Sequence, residues 1–340
     1  SSPSSSPVTR PLAGSPVYPT YLSILLDASG ISGSSAPGSA ATGPIFPKKD
    51  PPSSSGGRFA KHLKKSDGEP FWRKDIQYDF LKFLFNDEHR VFTNLFPNPN
   101  VVGVDNPPKY TFAELYVRTL AESGKSSKVL KERLLKDTEM GISVGKVCLL
   151  VNSGRMNTTI NFVPEMRLTL RTYHSIPSLQ ADPVYGGLKP LQDTPRLKLI
   201  LKLVCEGQEH LKSLQDILDH PAASKPNTNI IQLIFLLSNF PRGIKYLQDD
   251  HLLANNFIDF FLNDKIHPQS RANRFLWIVY TFLETSFKDE ELAQNPFGAT
   301  IPPEQILEEE EVKAFDQDTA FEIKFSQEMM ATRQRYLNDE

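Results

Sequence analysis

The feature that most constrains this chain is the spacing of its apolar residues. In segment after segment they recur three and four positions apart, the period that puts them on one face of an α-helix. Trp72, Ile76, Phe80, Phe83 and Leu84 make the first such stripe, after the turn Ser66-Asp67-Gly68-Glu69-Pro70. Phe112, Leu115, Thr119 and Leu120 make the second, and Thr111 and Glu114 before it have capping-box spacing. Leu130, Leu134 and Leu135 follow a cap at Ser126 or Ser127, and Val144, Val147, Cys148 and Val151 lie in a helix from Ile142 that stops at Asn152-Ser153-Gly154.

Residues 155–194 are less regular, with a short helix expected from Pro164 to Thr172 and a proline- and glycine-rich stretch after it. Helical signals resume at Thr194-Pro195. Leu197 to Val204 stops at Gly207, Leu211 to Leu218 follows, and Thr228 caps a segment from Ile230 to Phe240 that is apolar nearly all round and belongs in the centre. Asp249 or Asp250 is expected to start a helix over Leu252 to Leu262, and His267-Pro268 one that runs through Leu283. Thr300 with Pro302-Pro303 is expected to open one long amphipathic helix. Glu308 to Glu311 fall early in it, Arg333 and Arg335 late, and Phe321, Phe325 and Met329 lie on one face.

No set of well-separated alternating runs and no fixed repeat competes with this pattern. The expected architecture is all-α and irregular, with solenoid-like helix pairs an option after residue 195 and a long C-terminal amphipathic helix. The expected organisation is an arm over 1–57, an all-α core over 58–298 with a sub-boundary near 174–194, and an acidic helix over 299–340.

Composition defines the arm. Its 57 residues hold 15 Ser, 10 Pro and 7 Gly. Such a stretch buries too little apolar surface to offset its ordering entropy and is expected to be disordered. One apolar island, Tyr21-Leu22-Ser23-Ile24-Leu25-Leu26, interrupts it. It either docks on a partner or packs back on the domain. The chain starts at Ser1, which reads as a fragment of a longer protein.

Net charge is −2, unevenly distributed. From Lys288 onward there are 14 acids against 5 bases, while Arg58 to Lys136 holds 15 bases against 10 acids. A basic body with an acidic tail is compatible with chromatin or nucleic-acid contact. The candidate contacts for nucleic acid or an import receptor are Arg58, Lys61, Lys64 and Lys65, beside the arm, and Lys125 and Lys128, at the start of a helix. The candidate partner-docking residues are Tyr21, Leu22, Ile24, Leu25, Leu26, Phe321, Phe325 and Met329.

No motif points to catalysis. Gly141-Ile142-Ser143-Val144-Gly145-Lys146-Val147 imitates a phosphate loop but is one residue short, lacks the Ser/Thr that holds magnesium and lies in a helical pattern. The seven His have no metal-ligand spacing, and two Cys exclude a disulfide framework and a Cys-based zinc site. No cofactor, metal or catalytic residue is implied. No apolar run reaches the length of a membrane span.

Four idiosyncratic strings carry a family resemblance: His62 to Phe80, Gly154-Arg155-Met156-Asn157-Thr158-Thr159-Ile160-Asn161-Phe162, Ser270-Arg271-Ala272-Asn273-Arg274-Phe275-Leu276-Trp277, and Asn295-Pro296-Phe297-Gly298. From about Arg58 to Gly298 the chain resembles the fungal Ino-eighty subunit 1 family. The resemblance implies a nuclear, non-enzymatic accessory subunit of the Ino-eighty ATP-dependent chromatin remodeller. In that family the subunit joins a module on the motor subunit, with an HMG-box protein and other small subunits, near extranucleosomal DNA. It supplies no residue set for DNA or partner binding. The alternative reading from the residues is a stand-alone helical nucleic-acid-binding module.

Overall fold

The computed structural model describes residues 62–66, 68–98, 100, 106–156, 174–181, 197–219, 225–239, 244–247 and 251–339. Among them are thirteen α-helices and one two-stranded sheet. Residues 55–340 form one compact unit.

The first helical stripe is divided. α1 (Arg73–Ile76) and α2 (Tyr78–Phe85) are separated by Gln77, which is left-handed at φ 54°. The break has a tertiary cause. Gln77 is buried, and its amide oxygen accepts from Nη1 of Arg271, 194 positions away, at 2.8 Å. A continuous helix would aim that side chain elsewhere. Ile76, Phe80 and Leu84 still point inward and are fully buried.

A hairpin of β1 (Phe92–Thr93) and β2 (Lys109–Tyr110) follows, antiparallel, with Phe92 opposite Tyr110. It is too short to leave a signal in apolar spacing. α3 (Phe112–Ala121) starts with the expected box: the Glu114 amide donates to Thr111 Oγ1 and the Thr111 amide to Glu114 Oε2. α4 (Lys128–Lys136) is capped by Ser127 and α5 (Thr138–Asn152) by Asp137. α5 ends before Gly154, whose φ of 72° is the conformation glycine adopts without strain. α3, α4 and α5 pack on one another, and α2 lies against α3 and α5.

After α6 (Pro177–Gln180), α7 (Leu197–Val204) and α8 (Leu214–Asp219) pack on α9 (Ile230–Asn239), which also touches α3, α5 and α10 (Pro268–Glu284). α9 is buried on nearly every side, as its composition requires. α10 is the axis of the fold. It crosses α2 extensively, touches β1, and is capped by the His267 ring, whose Nδ1 accepts from the Gln269 amide. Phe80, Phe112, Phe257, Phe260, Phe261 and Phe275 close in edge-to-face pairs around it. The short helix Pro164 to Thr172 lies outside the described residues.

Several boundaries differ from expectation: α5 starts at Thr138 rather than Ile142, and α8 at Leu214 rather than Leu211. Within 252–262 only Phe257–Phe261 is helical, as a 3₁₀ turn capped by Asn256 and Asp259 rather than by Asp249 or Asp250, which lie outside the described residues. The last segment is not helical from Pro302. α11 (Asp289–Ala293) is followed by an extended strap, residues 298–307, along α10, then by α12 (Glu309–Val312) and the long C-terminal helix α13 (Ala320–Asn338). The strap stays extended because its backbone serves α10: Gly298 O accepts from Trp277, Pro302 O from Arg274 and Pro303 O from Ser270, and Gln305 O accepts from the His267 amide. Of the run Glu308 to Glu311, Glu308 is therefore the N-cap of α12 and the other three form its first turn. α13 starts at its own capping box, Thr319 and Glu322.

Candidate interaction surfaces

The basic turn at 62–65 is fastened to the core. The Leu63 amide donates to Arg155 O, and the Arg155 guanidinium donates to Asp75 O at 3.1 Å. Lys65 pairs with Asp75 at 2.7 Å and Lys64 is exposed. Arg58 and Lys61 lie outside the described residues. A second group stands on a different element. Lys125 and Lys128 are exposed at the N-terminal end of α4, whereas Lys131 pairs with Glu122 and Lys136 with Glu132. Among the described residues no carboxylate is within ion-pair distance of Lys64, Lys125 or Lys128.

The Gly141-to-Val147 sequence is helical throughout and builds no phosphate loop. Its glycines serve packing: a Cβ at Gly141 would lie 2.8 Å from Leu134 O of α4, and one at Gly145 2.7 Å from the Phe85 ring of α2. Lys146 is buried, its ammonium 4.8 Å from the Tyr78 ring centre.

The C-terminal helix lies on its own domain. α13 packs on α6, and Glu322 accepts from Arg73 at Nε (2.8 Å) and Nη2 (2.6 Å). Burial pushes the Arg73 guanidinium down; the hydrogen bond and charge of Glu322 outweigh it, so its pKa ends above the ordinary value. Asp318 accepts from the Arg73 amide, and Asp316 and Asp79 accept from each other's amides at 2.8 and 2.6 Å. Burial, with Asp79 alongside, holds the Asp316 carboxyl up at about 6. Of the docking candidates on this helix, Phe325 is 5% exposed and faces the chain itself, while Phe321 and Met329 are half-buried. The apolar side chains open to solvent are Ile323 and Met330. Tyr21, Leu22, Ile24, Leu25 and Leu26 lie outside the described residues.

Apolar spacing does not reveal the pair Arg271 and Arg274, 1% and 2% exposed on α10. Arg271 donates to Gln77 and to Phe260 O and lies 5.4 Å over the Phe80 ring. Burial lowers its pKa to about 10. The signal was two arginines three residues apart on the same stripe as Phe275 and Ile278. Among the described residues no three His, Cys, Asp or Glu are placed to hold a metal ion, and no helix is long and apolar enough to cross a membrane.

The residues fastened here lie in the strings that carried the resemblance. Arg73 and Asp75 belong to the first, Arg155 to the second, Arg271 and Arg274 to the third, and the strap begins at Gly298, the end of the fourth. The family model of the Ino eighty subunit 1 N-terminal domain matches residues 53–337. The chain belongs to this family. An Ino eighty subunit 1 of Emericella nidulans is 40% identical over 296 residues, covering 84% of this chain and 36% of that protein. One of Saccharomyces cerevisiae is 31% identical over an alignment of 374, covering 88% of this chain and 53% of that protein. The chain thus spans between about a third and about half the length of these Ino eighty subunit 1 relatives. No solved structure matches it.

Proposed function

We propose that this chain is a non-catalytic scaffold of the Ino-eighty chromatin-remodelling complex, holding a module that engages extranucleosomal DNA in the nucleus. The observation that carries the reading is the family match over nearly all of the described fold, with relatives that bear the name Ino eighty subunit 1. The partners are the motor subunit and small accessory subunits, an HMG-box protein among them. Arg274, which donates to Pro302 O, and the Arg73–Glu322 pair hold the strap and α13 in place, which suits a rigid interaction surface.

The test is affinity purification of the tagged chain from nuclease-treated nuclear extract, with bound proteins identified by mass spectrometry. Stoichiometric recovery of the motor subunit and an HMG-box protein is expected. Recovery of the chain alone would discard the scaffold reading.

The exposed Lys64, Lys125 and Lys128 favour one second reading, direct nucleic-acid binding by the chain itself. Affinity for duplex DNA would then fall with salt, with a log–log slope of about −0.9 per phosphate neutralised. A flat dependence would remove it.

A further inference from the structure

Five Ser or Thr residues with an acid three positions later stand at turns or helix starts in the described fold: Ser66 with Glu69, Thr111 with Glu114, Ser213 with Asp216, Ser286 with Asp289, and Thr319 with Glu322. In three of them the hydroxyl is used. Thr111, Ser213 and Thr319 each accept the amide of the acidic residue. Ser66 differs. The Glu69 amide donates to the Ser66 backbone oxygen at 3.1 Å, and the Ser66 hydroxyl takes no helix amide among the described residues. Ser66 is exposed, and it alone of the five also has an acid at the next position, Asp67.

The turn that holds Ser66 is roofed by the far end of α13. Gly68, at φ 87°, would place a Cβ 3.0 Å from Nη1 and 3.3 Å from Cζ of Arg333. The guanidinium therefore lies on the turn itself, two residues from Ser66, with Lys64 and Lys65 on the other side in sequence. α13 is pinned near its start by Glu322 on Arg73. Arg333 is eleven residues further on, about 16 Å along the axis.

We propose that Ser66 is a phosphorylation site for an acidophilic Ser/Thr kinase, and that its phosphate clasps the C-terminal half of α13 through Arg333. The kinase supplies the chemistry with ATP: Ser66 Oγ bonds to the γ-phosphorus, the bond from that phosphorus to the β,γ-bridging oxygen breaks, ADP leaves, and the hydroxyl proton passes to the kinase's base. The product carries close to two negative charges and three acceptor oxygens. A guanidinium has five donors in a fork that matches two phosphate oxygens, so Arg333 can take the phosphate while keeping other bonds. Lys64 adds a further cation.

The experiment uses the whole chain, treated with a casein-kinase-2-type enzyme and ATP, with sites mapped by mass spectrometry and α13 followed by hydrogen exchange. Phosphate at Ser66 is expected, and exchange over 330–338 slows about threefold, the size expected of one partly exposed charge pair. Ser66→Ala removes the effect and separates it from phosphate on other serines. Arg333→Ala keeps the phosphate and loses the slowing. No phosphate at Ser66, unchanged or faster exchange, or slowing that survives Arg333→Ala would each overturn the proposal.

Discussion

Arg73 and Glu322, 249 positions apart, meet in a two-pronged ion pair that joins the first helix to the last. Glu322 is also the capping residue of α13, its Oε2 accepting the Thr319 amide at 3.0 Å. One carboxylate thus starts the helix and docks it.

Glu322→Ala removes both functions and is expected to cost about 2 kcal/mol, between the values for exposed and fully buried pairs. Glu322→Gln keeps the cap acceptor and costs less. Arg73→Ala leaves Glu322, 7% exposed at its side chain, without its counter-ion. Urea unfolding of the two single variants and the double measures the coupling, which should exceed 0.5 kcal/mol in magnitude for groups in direct contact.

Arg271→Ala deletes a buried side chain and strands the Gln77 oxygen and Phe260 O that it satisfies. A loss of about 3–5 kcal/mol is expected from the cavity and the unpaired acceptors together. Arg271→Met fills most of the volume without the hydrogen bonds and should lose less. Equal losses for the two variants, read from urea midpoints, would show that packing volume is irrelevant at this site.

Asp316 gives stability a defined pH slope. Its folded pKa of about 6 lies above the unfolded value of 3.8. Between those values the folded chain holds a proton that the unfolded chain has released, so stability falls as pH rises from about 4 to about 6, by at most on the order of 3 kcal/mol. Asp79, Arg73 and Arg271 are the charges that act on it. His267 acts in the opposite sense. Burial, and then the Arg271 charge, lower its pKa, so stability falls as pH drops below the unfolded value of about 6.5. Asp316→Asn should flatten the first slope alone, gaining stability over the parent more at pH 7 than at pH 5 in thermal unfolding.

Gly141→Ala and Gly145→Ala test the packing role of these glycines. Helix propensity alone favours alanine by about 1 kcal/mol. The new Cβ would sit 2.8 Å from a backbone oxygen of α4 or 2.7 Å from the Phe85 ring. Overpacking of about 1–3 kcal/mol should cancel or reverse the gain, with Gly141 the worse site because a backbone carbonyl cannot rotate away. A rise in melting temperature at both positions would contradict the close approach.

Much of the helical skeleton was legible because its signals are local. The Thr111–Glu114 box, the Ser127 cap, the His267-Pro268 start and the stops at Gly154 and Gly207 each lie within a turn of the helix end they define. The Thr319–Glu322 box was equally local. The acidic run before it and the prolines before that pointed to an earlier start. The basic residues were visible, but which of them carry an ion pair was not: Lys65 and Lys131 are neutralised by Asp75 and Glu122, neither in a pairing that composition predicts. Phe325 illustrates the same limit, since a stripe shows that a helix has an apolar face and not what covers it.

By itself, the sequence determined the all-α class, most helix ends and the family, because caps, periodicity and characteristic strings act within a few residues or are read directly. Tertiary structure decided the break at Gln77, the extended strap and the docking of α13. In each case the deciding partner, Arg271 for Gln77, Arg274 and Ser270 for the strap, Arg73 for Glu322, lies between 28 and 249 positions away. A buried donor pairs with an oxygen that only the fold brings near, and that pairing overrides the local preference of the segment that supplies the oxygen.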